Sequence, residues 1–310
     1  MSPEQSVPAY LPNVIPVNYS CWHEYALLDV GNYQKLERFG KQLLVRSEPK
    51  AWGLPSFATE EWTKADAVCN ADGRWHFGKD VRREWVLTYK NLNFQVRCTD
   101  MSKHIGIFPE QVSHWTWITS QLEQTSLDLS KKRGIHKPCR VLSLFGYTGA
   151  ASLVAAANGA VVTHIDASKP AISWAKINQQ LSGLSSFPIR FMVDDAHKFI
   201  KREFRRGAHY DALILDPPSF GRGPKGEVWK AEKNLIPLLE NCRQILSESP
   251  RFVLLTMYAL EASALMMGNL LAAMMAGIDG SIEIGELALQ PENGSNPLPM
   301  AIFARWVSST

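Results

Sequence analysis

No two cysteines or histidines stand at the spacing a zinc site needs, and the five cysteines (Cys21, Cys69, Cys98, Cys139, Cys242) are scattered and odd in number. This argues against a structural metal and against a disulfide scaffold, and points to reduced thiols in a cytoplasmic protein. A secretory leader is also missing: Met1-Ser2-Pro3-Glu4-Gln5 has no basic region and no apolar stretch behind it. The longest apolar run, 262–278, is short, amphipathic and broken by Asn269, so a membrane partner is not expected. Charge of one sign is scarce as well. A net +3 over 310 residues is no polycation, and any contact with nucleic acid must come from local patches. The G-x-G-x-x-G fingerprint is absent, which disfavours a nicotinamide oxidoreductase.

What is present is a globular composition, 45% hydrophobic and 20% charged, long enough for one large or two ordinary domains. Residues 1–23 carry four prolines (Pro3, Pro8, Pro12, Pro16) with little periodicity and read as an extended arm. Residues 24–105 read as a small β-rich domain, with strands at 42–46, 86–89 and 94–98 and a hairpin connection at 90–93. Tryptophan is concentrated there, and large aromatics suit pleated surfaces. Residues 106–310 form the third unit. After a helix over 110–130, strands at 141–145, 161–165, 189–193, 212–215 and 252–256 alternate with helices at 150–158, 170–181, 196–205, 230–246 and 262–276. Strict alternation predicts an α/β fold with a parallel, doubly wound sheet. The helix-free pair at 281–289 and 300–307 predicts an antiparallel hairpin at one edge.

The chemistry-bearing residues gather at the strand ends. The fourth of these strands ends in Leu215-Asp216-Pro217-Pro218-Ser219-Phe220. Two prolines stop a strand and stiffen the chain behind the carboxylate. Such a tip can accept hydrogen bonds from an amino group and stack a flat ring. The first strand runs into Phe145-Gly146-Tyr147-Thr148-Gly149-Ala150, a glycine turn that opens a helix. The second ends at Ile165-Asp166-Ala167-Ser168, where a carboxylate can bridge ribose hydroxyls or cap the next helix. The third ends at Val193-Asp194-Asp195-Ala196, where Asp195 can accept from an adenine amino group. Ligands bind at the carboxyl ends of such strands, and three acidic ends in one crevice say more than any one alone.

With these motifs in place, the sequence resembles the class I S-adenosylmethionine-dependent methyltransferases. More narrowly it is similar to the bacterial 23S ribosomal RNA large-subunit methyltransferase family. The shared motifs are Leu144-Phe145-Gly146-Tyr147-Thr148-Gly149, the helical Ala175-Lys176-Ile177-Asn178 and the Asp216-to-Phe220 tip. Ile105-Gly106-Ile107-Phe108-Pro109-Glu110-Gln111 stands where the family has a cofactor-bordering segment ending in Asp-Gln-Arg. Glu110 and Val112 depart from that Asp and Arg.

The resemblance implies a Rossmann-like sheet and S-adenosyl-L-methionine as cofactor. It implies that the 145–149 loop cradles the methionine part, Asp166 with Ala167 and Ser168 holds the ribose, and Asp195 with Ala196 reads the adenine. Phe108, Gln111 and Asn178 belong to the same cofactor set, and Asp216, Pro217, Pro218 and Phe220 face the acceptor. Family members that make 5-methylcytosine use a cysteine after the fifth strand, because a ring carbon needs covalent activation. Here that place reads Thr256-Met257-Tyr258. The expected acceptor is therefore a nitrogen of a nucleic-acid base, with ribosomal RNA the first choice. The alternatives are a protein or small-molecule N-methyltransferase, or a catalytically silent RNA-binding factor. Arg222, Lys225 and Trp229 follow the tip in a loop that could close over the acceptor. Lys131-Lys132-Arg133 and Lys201-Arg202 with Arg205-Arg206 are candidate phosphate contacts or solvated faces. A homo-oligomer is left open.

Overall fold

The computed structural model describes residues 13–17, 21–131, 137–258 and 261–309. Its N-terminal part comprises β1 (Asn13–Val17), β2 (Tyr25–Gly31), β3 (Gln34–Phe39), β4 (Gln42–Ser47), α1 (Thr59–Trp62), β5 (Ala67–Cys69), β6 (Trp75–Phe77), β7 (Glu84–Tyr89) and β8 (Leu92–Arg97). A 3-10 turn at Pro109–Gln111 leads into α2 (Val112–Lys131), β9 (Arg140–Leu144), α3 (Ala150–Ala157), β10 (Val161–Asp166), α4 (Lys169–Leu181), β11 (Ile189–Val193) and α5 (Ala196–Arg205). Then come β12 (Ala212–Leu215), β13 (Phe220–Arg222), β14 (Val228–Lys230), α6 (Ala231–Gln244), β15 (Phe252–Met257), α7 (Ala264–Met274), β16 (Gly280–Leu289) and β17 (Leu298–Ser308).

The main sheet has eight strands in the order β1-β16-β17-β15-β12-β9-β10-β11. Strands β15, β12, β9, β10 and β11 are parallel, and β17 runs antiparallel to both β15 and β16. Every residue of β12 and β15 is buried, as expected of parallel strands covered on both faces. Strand order reverses at β9, which leaves a crevice at the carboxyl ends of β9, β10, β11 and β12. Helix starts are fixed locally. Ser168 Oγ caps α4 by accepting from Ala171 N, and Asp195 caps α5 by accepting from Lys198 N.

A second sheet, β2-β3-β4-β5-β6, lies N-terminal to this one. The β7–β8 hairpin ties it to the main body. Asn93 N donates to Ser182 Oγ at 3.0 Å, and Gln95 N donates to Asn178 Oδ1 at 2.8 Å. One hydrophobic cluster runs from Trp22, Tyr25 and Phe39 through Tyr89, Phe94 and Trp115 to Val141 and Phe252. Trp22 is core, whereas Trp52 is 79% exposed.

Three features differ from the sequence expectation. Within the arm, β1 pairs in parallel with β16 along the sheet edge, held by backbone bonds that leave no side-chain pattern. The β2–β3 hairpin turns on Asn32 and Tyr33 with φ of 50° and 61°. Tyrosine is not a residue that signals such a turn. The stretch after Phe220 is not a plain loop but the β13–β14 hairpin.

Candidate active site

The crevice at the β9–β12 strand ends opens into a cavity of about 710 Å³, inside the size range of small-molecule sites. Its floor is made by Phe145, Tyr147, Asp166, Ala167, Ser168, Asp195, Ala196 and the 216–219 tip, and Phe108 and Glu110 come in from the 3-10 turn.

The turn after β9 is strained. Phe145 and Tyr147 hold φ of 58° and 50°, and Gly149 takes 88° as the residue that opens α3. Gly146 is required for a reason the sequence did not show. A Cβ there would lie 2.2 Å from the His164 ring, which packs behind the loop. Thr148 Oγ1 donates to Gly106 O at 2.6 Å, and Asn178 Nδ2 donates to Thr148 O at 2.9 Å. Asn178 is fully buried with both ends of its amide used, so it braces the loop from behind and does not face the cavity. Thr148 is likewise behind the surface.

Asp166 accepts from Tyr147 N and Ser168 N, each at 2.8 Å and each on a different oxygen. The two bonds fix the carboxylate plane and leave each oxygen a further lone pair at the cavity floor. Burial pushes its carboxyl above the usual range, and the two N–H groups partly offset this. Asp195, expected from the sequence to meet only the adenine, caps α5 and lines the cavity as well. Its neighbour Asp194 is paired with Arg202.

At the 216–219 tip, Asp216 Oδ2 accepts from Gln111 Nε2 at 3.3 Å, while Oδ1 is buried with no partner among the described residues. Burial first, then the Glu110 and Asp166 carboxylates, push the Asp216 carboxyl up to about 8. Gln111 Nε2 also donates to Tyr258 Oη at 2.8 Å. Gln111 therefore orients the tip without lining the cavity. Trp229 is buried and donates from Nε1 to Pro218 O at 2.6 Å, with its ring 4.9 Å from Phe145. It is a prop beneath the tip, not a closing flap. Phe220 is 55% exposed on the β13–β14 hairpin and, like Lys225 at its turn, lies outside the cavity lining. Arg222 does border the cavity.

Sequence reasoning missed the wall opposite the cradle. Lys35, Arg46, Glu48, Lys50, Lys103 and His104, from or beside the N-terminal sheet, line the same cavity, as does Tyr258. No spacing rule links residues so distant in the chain. Of the basic clusters, Lys131-Lys132-Arg133 falls outside the described residues or side chains, and Arg206 pairs with Glu203. Among the described residues there is no group of three or more potential metal ligands, and no helix is long and apolar enough to cross a membrane.

None of the known protein-family models matches the chain. The ribosomal RNA large subunit methyltransferase K/L of Hahella chejuensis is 40% identical over 110 residues, 35% of this chain. That match spans only 15% of the Hahella protein. A solved SAM-dependent methyltransferase from Agrobacterium tumefaciens superposes with a TM-score of 0.88 and 41% identity, covering 96% of this chain and 94% of that one. This chain belongs to the S-adenosylmethionine-dependent methyltransferases. The methyltransferase also shares its fold with a Streptococcus mutans chain at TM-score 0.68 and 17% identity, which covers 92% of this chain and 75% of that one. The cavity suits the cofactor: pinned carboxylates stand at two strand ends, and an aromatic wall of Phe108, Tyr147 and Tyr258 places ring centroids 5.5–5.8 Å apart.

Proposed function

We propose that this methyltransferase modifies a nitrogen of a nucleic-acid base, with ribosomal RNA as the acceptor. The observation that carries the reading is an Asp216 oxygen without a partner among the described residues, at a cavity that no cysteine lines. Carbon methylation needs a thiolate to activate the ring. Cys98 and Cys139 lie elsewhere, with thiols pushed up to about 12 by burial, and Cys242 is buried in α6. Met257, where a nucleophile would stand, is buried in β15. An amino nitrogen needs only alignment and an acceptor for its N–H groups. The K/L relatives of Hahella and Shewanella, named for ribosomal RNA, support the choice of acceptor over the segment they share with this chain.

S-adenosylmethionine supplies an activated methyl group when bound. In this reading Asp166 holds the ribose hydroxyls, Asp195 and Ala196 meet the adenine, and the 145–149 turn lies along the methionine part. Asp216 accepts from the acceptor's amino group, and the Pro217 carbonyl, which no described residue engages, stands beside it. Residues 24–105 form a β domain that completes the acceptor side of the cavity, and the protein works in the cytoplasm. The test is transfer of tritiated methyl from S-adenosylmethionine to ribosomal RNA taken from cells that lack the protein. Label in an N-methyl nucleoside is expected. Label in a 5-methylpyrimidine, with a covalent adduct on RNA containing 5-fluorocytosine, would contradict the reading.

A further inference from the structure

Glu110 lies 1% exposed in the 3-10 turn that leads into α2, lines the cavity, and has one carboxyl oxygen without a partner among the described residues. A buried carboxyl with a free oxygen is costly unless it serves a ligand or another group. Gln111 and Tyr258 lie between it and the Asp216 tip. Gln111 Nε2 donates to both Asp216 Oδ2 and Tyr258 Oη, and the Tyr258 hydroxyl in turn interacts with the Glu110 carboxyl. Two buried carboxyls thus face one cavity, with an amide and a phenol beside them.

We propose that Glu110 is a positioning residue that sets the basicity of Asp216. The inference rests on the amino-acceptor reading above. Methylation of a neutral amino group releases a proton. The nitrogen lone pair forms the new N–C bond, the C–S pair stays on sulfur, and the proton leaves the nitrogen for a base. Asp216 receives it, and a second carboxylate in the same dry site makes Asp216 a stronger base than a lone aspartate. The surrounding charges are consistent with this. Asp216 is faced by Glu110 and by Asp166 from β10, both of which push its carboxyl up. Glu110 is faced by Tyr258, by Lys35 from β3 and by Arg46 from β4. Burial pushes the Glu110 carboxyl above the usual range, and the two cations pull against that shift; Glu37, which accepts from Arg46 Nε at 2.7 Å and lies 3.4 Å from Lys35 Nζ, holds them in place. The N-terminal sheet therefore reaches the acceptor chemistry through Glu110.

The experiment uses the full chain labelled with carbon-13 at aspartate carboxyls, titrated by NMR with no acceptor present. In the wild type the Asp216 resonance should titrate near 8. In Glu110→Gln, which keeps shape and removes charge, it should move down toward the ordinary carboxylate range. Tyr258→Phe, which removes the hydroxyl that accepts from Gln111 and leaves the Glu110 charge, should move it less. If Glu110→Gln folds and leaves the Asp216 midpoint unchanged, the proposal is overturned. A pH profile of methyl transfer to ribosomal RNA adds a separate arm. There the acid limb should shift to lower pH in Glu110→Gln, and a lower rate with an unmoved limb would mean a purely structural role. Absence of any transfer to RNA would reject the RNA acceptor while the NMR titration still decides the role of Glu110.

Discussion

The indole Nε1 of Trp229 donates to the carbonyl oxygen of Pro218 at 2.6 Å, from a side chain that is 7% exposed. The bond takes up one of the two proline carbonyls of the tip and leaves that of Pro217 unengaged among the described residues. It also couples the tip to the β13–β14 hairpin, since Trp229 pairs with Gly221 across that hairpin.

Trp229→Phe should keep the packing against Phe145 and lose the bond. Leaving the carbonyl unpaired costs about 1–3 kcal/mol. The expected outcome is a looser tip, with turnover reduced several-fold and cofactor affinity nearly unchanged. Calorimetry with S-adenosylhomocysteine, set beside single-turnover rates, separates the two. An equal loss in both would place Trp229 in the cofactor site instead.

Asp166→Ala removes a carboxylate oriented by Tyr147 N and Ser168 N. Loss of hydrogen bonds from ribose to a charged group should weaken cofactor binding by roughly 2–3 kcal/mol, ~30- to 150-fold. Unchanged affinity in calorimetry would reject the ribose assignment.

Asp216→Asn carries a signature in pH. The folded protein holds the Asp216 proton up to about 8, against an ordinary value of 3.8. Between these limits the folded state binds more protons than the unfolded chain. The stabilising contribution is therefore complete below the lower value and lost as pH rises through the higher one. Asparagine removes the titration, so the variant should melt above the wild type at about pH 8, with the gap closing toward about pH 4. Transfer should be abolished and cofactor binding kept. A folded, cofactor-saturated variant with normal turnover would remove Asp216 from the mechanism.

The parallel sheet was readable because each of its strands is a short apolar run bounded by a carboxylate, proline or glycine, as with 212–215 before Asp216. The crevice was readable for the same reason: its acidic residues sit at strand ends, and those ends are adjacent in sequence to the strands. The supports were not. From the sequence Asn178 belongs to the cofactor set and Trp229 to a closing loop, and only the fold shows that they brace the 145–149 turn and the tip. His164, whose ring dictates Gly146, reads as one more strand residue. The opposite wall depends on the N-terminal sheet folding back, so that Lys35 and Arg46 meet Glu110 across more than sixty residues of chain. β1 escaped because an edge strand formed mainly by backbone pairing carries no alternation to read.

The most direct test of the central claim is mass spectrometry of nucleosides from ribosomal RNA of cells with and without the protein. The account predicts one N-methylated nucleoside that disappears when the protein is absent and returns with the wild type but not with Asp216→Ala. An unchanged nucleoside profile, or the loss of a carbon-methylated base instead, would contradict it.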